Sequence, residues 1–358
     1  MNWIGLTDHD EGRFAPGGLG PVKGNDVGDM LDRGTLMIET RVAGDDRPHD
    51  LLGLVHSFPW ARELAFRAVP GGGIAMVHKN HDDLTHAAIR WLGDGRPQTL
   101  RISYAWDTSQ GWARLSLEQP ESTRVLHSTV TNPRPILTSD LRDITLGSGA
   151  RTLSKEVLFV AAATDITPLG PMPSLHPGTP IATPTGYRAA GNLRRGDTVI
   201  SDAGQIIPVL QTVRHAMPAR GSFAPVRLHA PYFELGRDIV VAPEQRLVLK
   251  GSEVEYIFGQ EAVLVPARHL VNGYAASWVA PQSVAEYVQL VLPGHEAIMA
   301  AGAALESLYI GRLRRKPDHL AASVLSDVPR GLLPEHARPI HQVLRPFEAI
   351  TLIDQRAA

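Results

Sequence analysis

Two alternating runs constrain the chain most. In Thr99-Leu100-Arg101-Ile102-Ser103-Tyr104-Ala105-Trp106-Asp107 and Trp112-Ala113-Arg114-Leu115-Ser116-Leu117-Glu118, apolar and polar residues alternate, and the gap between them holds Ser109-Gln110-Gly111. A period of two on either side of a glycine-containing gap predicts an antiparallel hairpin with one buried face. Similar short runs recur at Thr35–Val42, Leu64–Val69 and Ile74–His78, the last two joined through Pro70-Gly71-Gly72-Gly73. Ile144-Thr145-Leu146-Gly147 and Val157–Ala161 complete the set. With 33 glycines and 28 prolines as turn residues, short strands are expected rather than long helices. The reading for residues 1–165 is a β-sandwich.

The bulk properties exclude several classes. At 358 residues the chain is long enough for two domains, and 43% apolar with 20% charged residues is ordinary globular usage. A net charge of −2 argues against nucleic acid or anionic membrane as partner. The absence of cysteine removes disulfides, thiolate metal sites and thiol nucleophiles. Met1–Asp10 lacks the basic and apolar segments of a secretory signal, and no run approaches the ~18 apolar residues of a membrane span. The expectation is a cytoplasmic protein, or one exported without an N-terminal signal, with no cofactor.

Ile166-Thr167-Pro168-Leu169-Gly170-Pro171-Met172-Pro173 carries three prolines in eight residues and predicts an extended spacer over 166–173. Beyond it, short strands are expected at Ile206–Leu210, Pro225–Leu228, Asp238–Val241 and Arg246–Leu249. Pro317–Leu325 and Glu335–Val343 read as short helices of a C-terminal extension over 316–358 that packs on the preceding β domain.

Three blocks in this half carry a resemblance. They are Ser174-Leu175-His176-Pro177-Gly178-Thr179, Leu193-Arg194-Arg195-Gly196-Asp197-Thr198-Val199, and Asp238-Ile239-Val240-Val241-Ala242-Pro243-Glu244-Gln245-Arg246-Leu247. Together they resemble the bacterial branch of the hedgehog/intein (Hint) family, over about 169–350. The resemblance implies a β-rich Hint-like domain over 174–315. The order of elements over about 30–165 also resembles the laminin-G/concanavalin-like sandwich. The fold class expected is thus mainly β: an N-terminal sandwich, then a Hint-type domain with a few short C-terminal helices.

The resemblance also implies a chemistry. A Hint domain breaks the bond before its first residue by attack of a Cys or Ser side chain on the preceding carbonyl. This requires a nucleophile, a proton donor for the departing nitrogen and donors for the oxyanion. The family opens on Cys and supplies Thr/Ser-Pro-x-His-Arg later. Here Ser174 stands at the Cys position, Ala242 at the Thr/Ser position and Gln245 at the His position. A carboxamide does not titrate and a methyl group donates nothing. Losing the acid costs on the order of 10²–10⁴ in rate and losing an oxyanion donor ~10²–10³ more. The catalytic candidates are Ser174 and His295, the latter at a family histidine position. His176, two residues from Ser174, is within reach of its hydroxyl in a turn. Thr212-Val213-Arg214-His215 matches Thr-x-x-His literally but falls about 30 residues early. Gly196 and Asp197 read as a structural turn, with Asp197 capping backbone amides.

In the first half, His78–Asp83 has metal-ligand residue types but reads as a polar loop, and no metal is expected. Trp91, Trp106 and Trp112 are candidates for stacking on a sugar; Trp106, at a strand end, fits either a binding rim, as the ligand-binding candidate, or the core, with core packing the safer reading. Arg312–Lys316 reads as a solvated basic stretch. Three functions follow, in order of preference: a non-cleaving Hint-fold binding or structural module, self-cleavage at Pro173–Ser174 by an N-to-O acyl shift, and carbohydrate binding by the sandwich. The expected partner is a carbohydrate or another protein.

Overall fold

A computed structural model describes residues 2–357 apart from 22, 43–47, 71, 93–95, 123 and 148–149. Gly71, expected in a turn, lies outside the described residues. The chain divides into two units, Met1–Pro168 and Leu169–Ala358. Strand is the main regular structure of both, with four short α-helices among the described residues.

The first unit is two antiparallel sheets face to face. The larger has the order Val125–Thr131, Trp112–Glu118, Gln98–Asp107, Arg33–Val42, Val157–Ala163, Trp3–Thr7, Gly12–Phe14. The smaller runs Arg151–Leu153, His49–His56, Arg62–Ala68, Ile74–Asn80, Asp83–Ile89. The alternating residues Leu100, Ile102, Tyr104 and Trp106 meet Leu115 and Leu117 of the hairpin partner on one face, and Leu52, Leu54, Leu64, Phe66 and Met76 come from the opposing sheet. Side chains two apart share a face, so these runs bury one row each and build one core. The hairpin closes with Asp107 opposite Trp112, and Gly111 takes the left-handed backbone the turn needs, at φ 67°.

Two expectations for this unit are corrected. Ile144–Leu146 is not a strand but the last turn of a helix, Thr138–Leu146. Leu141, Ile144 and Thr145 repeat at helical spacing and are buried, and Gly147 ends the helix at φ 81°. Trp106 is fully buried in the core rather than at a rim. Its Nε1 donates to Leu31 O at 2.8 Å and its ring stacks on Tyr104 at 5.7 Å. It has no face to offer a sugar.

In the second unit a seven-stranded sheet has the order Gly186–Ala189, Pro180–Thr183, Ala297–Ala300, Ala303–Glu306, Arg246–Lys250, Ala262–Pro266, Gln342–Val343. A three-stranded sheet sets Val226–Leu228 between Ile239–Val241 and Ala276–Trp278. Gln211–Pro218 pairs with Val284–Val291, and Thr198–Ile200 with Ile206–Pro208. One core gathers Leu175, Ile181, Val199, Val241, Leu247, Val265, Val288, Leu290, Ile298 and Leu305. Helix Pro346–Ala357 adds Ala349 and Leu352 to it.

Glu335–Val343 is not a helix. Pro339 lies inside it, removing a backbone donor and disfavouring helical geometry at the residue before. Its end, Gln342–Val343, instead adds a parallel strand to Ala262–Pro266. The proline-rich segment 166–173 is tied down from within each unit. The Thr167 amide donates to Thr35 Oγ1 at 2.9 Å, and Leu169 bridges to Ser323.

Candidate functional site

Ser174 is held by its neighbour. Leu175 exchanges two backbone hydrogen bonds with Val288, at 3.0 and 2.8 Å, and also bridges to Val241. The Ser174 carbonyl accepts the Ala242 amide at 2.7 Å. The Gln245 amide returns to Ala242 O at 3.0 Å, a tight turn that leads into strand Arg246–Lys250. Ser174 and Gln245, 71 residues apart, are thereby brought together.

Their side chains form a buried knot with a third, Gln289. The Ser174 hydroxyl donates to Gln245 Oε1 at 2.6 Å and lies 3.1 Å from Gln289 Nε2, whose N–H it accepts. Gln289 Nε2 also reaches Gln245 Oε1 at 2.8 Å. Gln245 Nε2 donates to the carbonyls of Arg246 and Glu306, at 2.9 and 3.1 Å. All four hydrogen-bonding capacities of the Gln245 carboxamide are filled. Gln245 and Gln289 are each 2% exposed, so a missing partner here would cost the full desolvation of a polar group.

Gln289 was not a sequence candidate. It is the one polar residue in Tyr287-Val288-Gln289-Leu290-Val291, a strand buried along that whole stretch. A lone carboxamide in a doubly buried run requires a buried partner, and that is the signal the sequence holds.

His295 sits on the far side of Glu306. Its Nδ1 accepts the Ile340 amide at 2.9 Å, which assigns the proton of the neutral ring to Nε2. Nε2 lies 2.9 Å from a Glu306 carboxylate oxygen, off the ideal hydrogen-bond direction, and Arg246 Nη1 binds the same oxygen at 2.9 Å. Tyr309 and His336 flank the ring, with centroids 4.9 and 5.7 Å away. Burial lowers the His336 pKa. Both His295 nitrogens face other groups, and no hydrogen bond joins His295 to Ser174. The two catalytic candidates are therefore not a couple. Glu306 links them indirectly, its carbonyl on the glutamines and its carboxylate on His295.

His176 does not serve Ser174 either: its Nδ1 accepts the Gly178 amide at 3.0 Å, and burial lowers its pKa. Thr212 Oγ1 donates to Leu193 O at 2.9 Å, on the strand that pairs with Val284–Val291. At the turn, Gly196 has φ 91°. The Asp197 carboxylate accepts the Arg194 amide at 2.8 Å and pairs with Arg188 at 3.0 Å. That backbone bond, first, holds the Asp197 pKa below the usual carboxylate range.

In the first unit, His78–Asp83 is a tight hairpin with Asn80 opposite Asp83, and Asp83 pairs with Arg134 at 2.7 Å. Among the described residues no cluster of three His, Asp or Glu side chains suits a metal ion. Trp91 is buried, with the Arg124 guanidinium 4.0 Å over its ring. In the second unit Arg314 and Arg315 both pair with Glu335, at 2.8 and 2.6 Å.

Residues 173–312 match the Hint domain family. Among solved structures, the chain is similar to a bacterial intein-like domain from Clostridium thermocellum, at 16% identity over 38% of this chain and 99% of that one, with a TM-score of 0.29. It is similar to the gp41-1 intein at 14% identity over 38% and 98%, with a TM-score of 0.25. A further similarity is to the Ruminococcus gnavus IT-sialidase CBM40, at 16% identity over 38% and 77%, with a TM-score of 0.28. No curated protein matches the chain.

Proposed function

From the premise that residues 173–312 are a Hint domain, we propose that it is a non-cleaving one, kept as a folded module that holds the chain intact. The observation that carries this reading is the setting of Ser174. Its hydroxyl is tied between two carboxamides, at 2.6 Å to Gln245 and 3.1 Å to Gln289. Attack on the Pro173 carbonyl needs a group that takes the hydroxyl proton, and an amide oxygen is no base at neutral pH. Departure of the amide nitrogen needs an acid, and the family position for it holds Gln245. Ala242 brings no side-chain donor for the oxyanion. The three residues act as structural polar filler for a buried junction, where each satisfies the others.

The test is an intact-mass time course of the fresh full chain, with and without hydroxylamine, which traps an ester. The expected result is a single species near 38.8 kDa throughout. A fragment ending at Pro173, absent from Ser174→Ala, would overturn the reading in favour of self-cleavage.

A further inference from the structure

A different serine in the second unit has the surroundings that Ser174 lacks. In the three-stranded sheet, His229 follows strand Val226–Leu228, Asp238 precedes strand Ile239–Val241, and Ser277 is the middle residue of Ala276–Trp278. The sheet register brings the three together. His229 Nδ1 lies 3.1 Å from Asp238 Oδ2, and His229 Nε2 lies 2.8 Å from Ser277 Oγ. A carboxylate accepts hydrogen bonds but donates none, so the proton of the neutral ring belongs on Nδ1. That leaves the Nε2 lone pair facing Ser277, and the hydroxyl donates to it. This is the order nucleophile, base, orienting carboxylate that acyl transfer requires.

Further details fit. Asp238 is itself fixed, its Oδ1 accepting the Ala230 amide at 2.9 Å; that bond first, and then His229, holds its pKa low, so it stays ionised. Arg227 is the cross-strand partner of Ser277, with Nη1 4.0 Å from Asp238 Oδ2. Such partners have Cβ atoms about 4.5–5.5 Å apart, so Arg227 and Ser277 rise from neighbouring points of one sheet face. Three residues beyond His229 and three before Ser277, the exposed rings of Tyr232 and Tyr274 stand 6.2 Å apart. They stand at the end of the same strand pair, beyond the bond from the His229 amide to Ala275 O at 2.9 Å. Phe233 and Glu234 hold left-handed backbone at φ 56° and 64°, a conformation non-glycine residues keep where surrounding structure imposes it. Ser277 and His229 are partly open to solvent, so a small molecule can reach them.

We propose that Ser277, His229 and Asp238 form an acyl-transfer site for small carboxylic esters with an apolar or aromatic group. Ser277 Oγ attacks the ester carbonyl carbon while its proton passes to His229 Nε2. The negative charge gathers on the former carbonyl oxygen of the tetrahedral adduct. Collapse breaks the bond to the leaving oxygen, which takes the proton from His229 and departs as an alcohol. Water then attacks the acyl-serine, again giving its proton to His229. Collapse returns that proton to Ser277 and releases the carboxylic acid. Asp238 touches no reacting atom; it is a positioning residue. The inference stands apart from the fate of Ser174.

The experiment uses the full chain, with diisopropyl fluorophosphate as covalent probe and p-nitrophenyl butyrate as substrate. Peptide mass mapping is expected to locate the phosphoryl adduct on Ser277. Ser277→Ala should abolish that adduct and the ester hydrolysis above background. His229→Gln, with an unchanged melting temperature, should slow adduct formation by about 100-fold or more. An adduct absent from Ser277, or one that forms equally fast in folded His229→Gln, would overturn the proposal. Should Ser277→Ala fail to fold, the His229→Gln rate decides alone.

Discussion

Two serines in one Hint unit have opposite surroundings. Ser174 stands at the position that the sequence resemblance assigns to a nucleophile, yet its hydroxyl is bound by Gln245 and Gln289, two groups that cannot exchange a proton near neutrality. Ser277 stands in the strand Ala276–Trp278, and its hydroxyl meets an imidazole that is held by a carboxylate. The residue type is the same. What differs is whether the atom 2.6–2.8 Å away can take a proton. Burial separates them further. The Ser174 knot is nearly sealed and fully satisfied, which suits stability, while the Ser277 cluster is partly open, which suits encounter with a molecule. Position in a scaffold is therefore a weaker guide to reactivity than the titratable neighbour.

The largest expected effect sharpens this contrast at its reactive end. Asp238→Asn removes the charge that selects the Nδ1–H tautomer of His229. Phosphorylation of Ser277 should slow by about 10²–10⁴-fold. The readout is the rate of adduct formation by mass. An unchanged rate would reduce Asp238 to a capping role on Ala230. Ser174→Ala in the same assay should leave the rate untouched.

At the buried end, Gln245→Ala strips the knot of its centre. The Ser174 hydroxyl and the Arg246 carbonyl would each lose a partner in a largely buried site. The expected loss is about 2–4 kcal/mol by urea unfolding, since each buried orphan costs roughly 1–3 kcal/mol. A loss below ~1 kcal/mol would mean that the cavity fills with water, and that the site is more open than the fold suggests.

The sequence carried the strands of this contrast better than its register. Alternation marked the hairpin between Gln98–Asp107 and Trp112–Glu118, because one buried face leaves a period-two trace. Ser174, Ala242 and Gln245 could be singled out in the sequence because the motif they resemble fixes the spacing of its positions. The local signal at Gln289, a lone carboxamide in an apolar run, announces a buried partner but does not identify it, because its partners lie 115 and 44 residues away. The Ser277 cluster was illegible for the same reason. His229 and Asp238 are nine residues apart, but Ser277 is 48 from His229, and only strand pairing makes them neighbours. Trp106, at a strand end, fits either the core or a rim by sequence, because strand ends are half-buried on average. Here the tryptophan continues the inward row of Leu100, Ile102 and Tyr104. Helix Thr138–Leu146 was misread because its last residues, Ile144-Thr145-Leu146, are β-branched and apolar; the helical spacing from Leu141 outweighs that local preference.

His78 in the first unit shows what a titratable side chain at a buried position entails, and so what the carboxamides of the knot avoid. Burial pushes its pKa from 6.5 down to about 4. The folded-state value lies below the unfolded one, so between those limits the unfolded chain binds the extra proton. The stability is complete above pH ~6.5 and is lost as pH falls towards ~4. His78→Leu should reduce the stability lost between pH 7.5 and pH 4.5 by about 2–3 kcal/mol, measured by urea midpoints. The energetic coupling between Gln245 and Gln289, from a double-mutant cycle, should stay constant over the same range, since neither group titrates. A coupling that changed with pH would mean that Glu306 or His295 reports into the knot.

The smallest effect is the most diagnostic for the buried serine. Ser174→Ala removes a hydroxyl that both donates and accepts, but Gln245 Oε1 keeps its bond from Gln289 at 2.8 Å, and Gln289 Nε2 keeps the Glu306 carbonyl at 3.2 Å. No strong group is orphaned, so the expected cost is about 1 kcal/mol, or roughly 2–4 °C in melting temperature. Comparison with Gln245→Ala then ranks the members of the knot. If Ser174 is an ancillary member, its loss is the smaller by a factor of two or more. If the two losses are equal, the serine is the centre of the network and the glutamines are arranged around it. In that case a hydroxyl at this position has a structural reason to persist that owes nothing to cleavage.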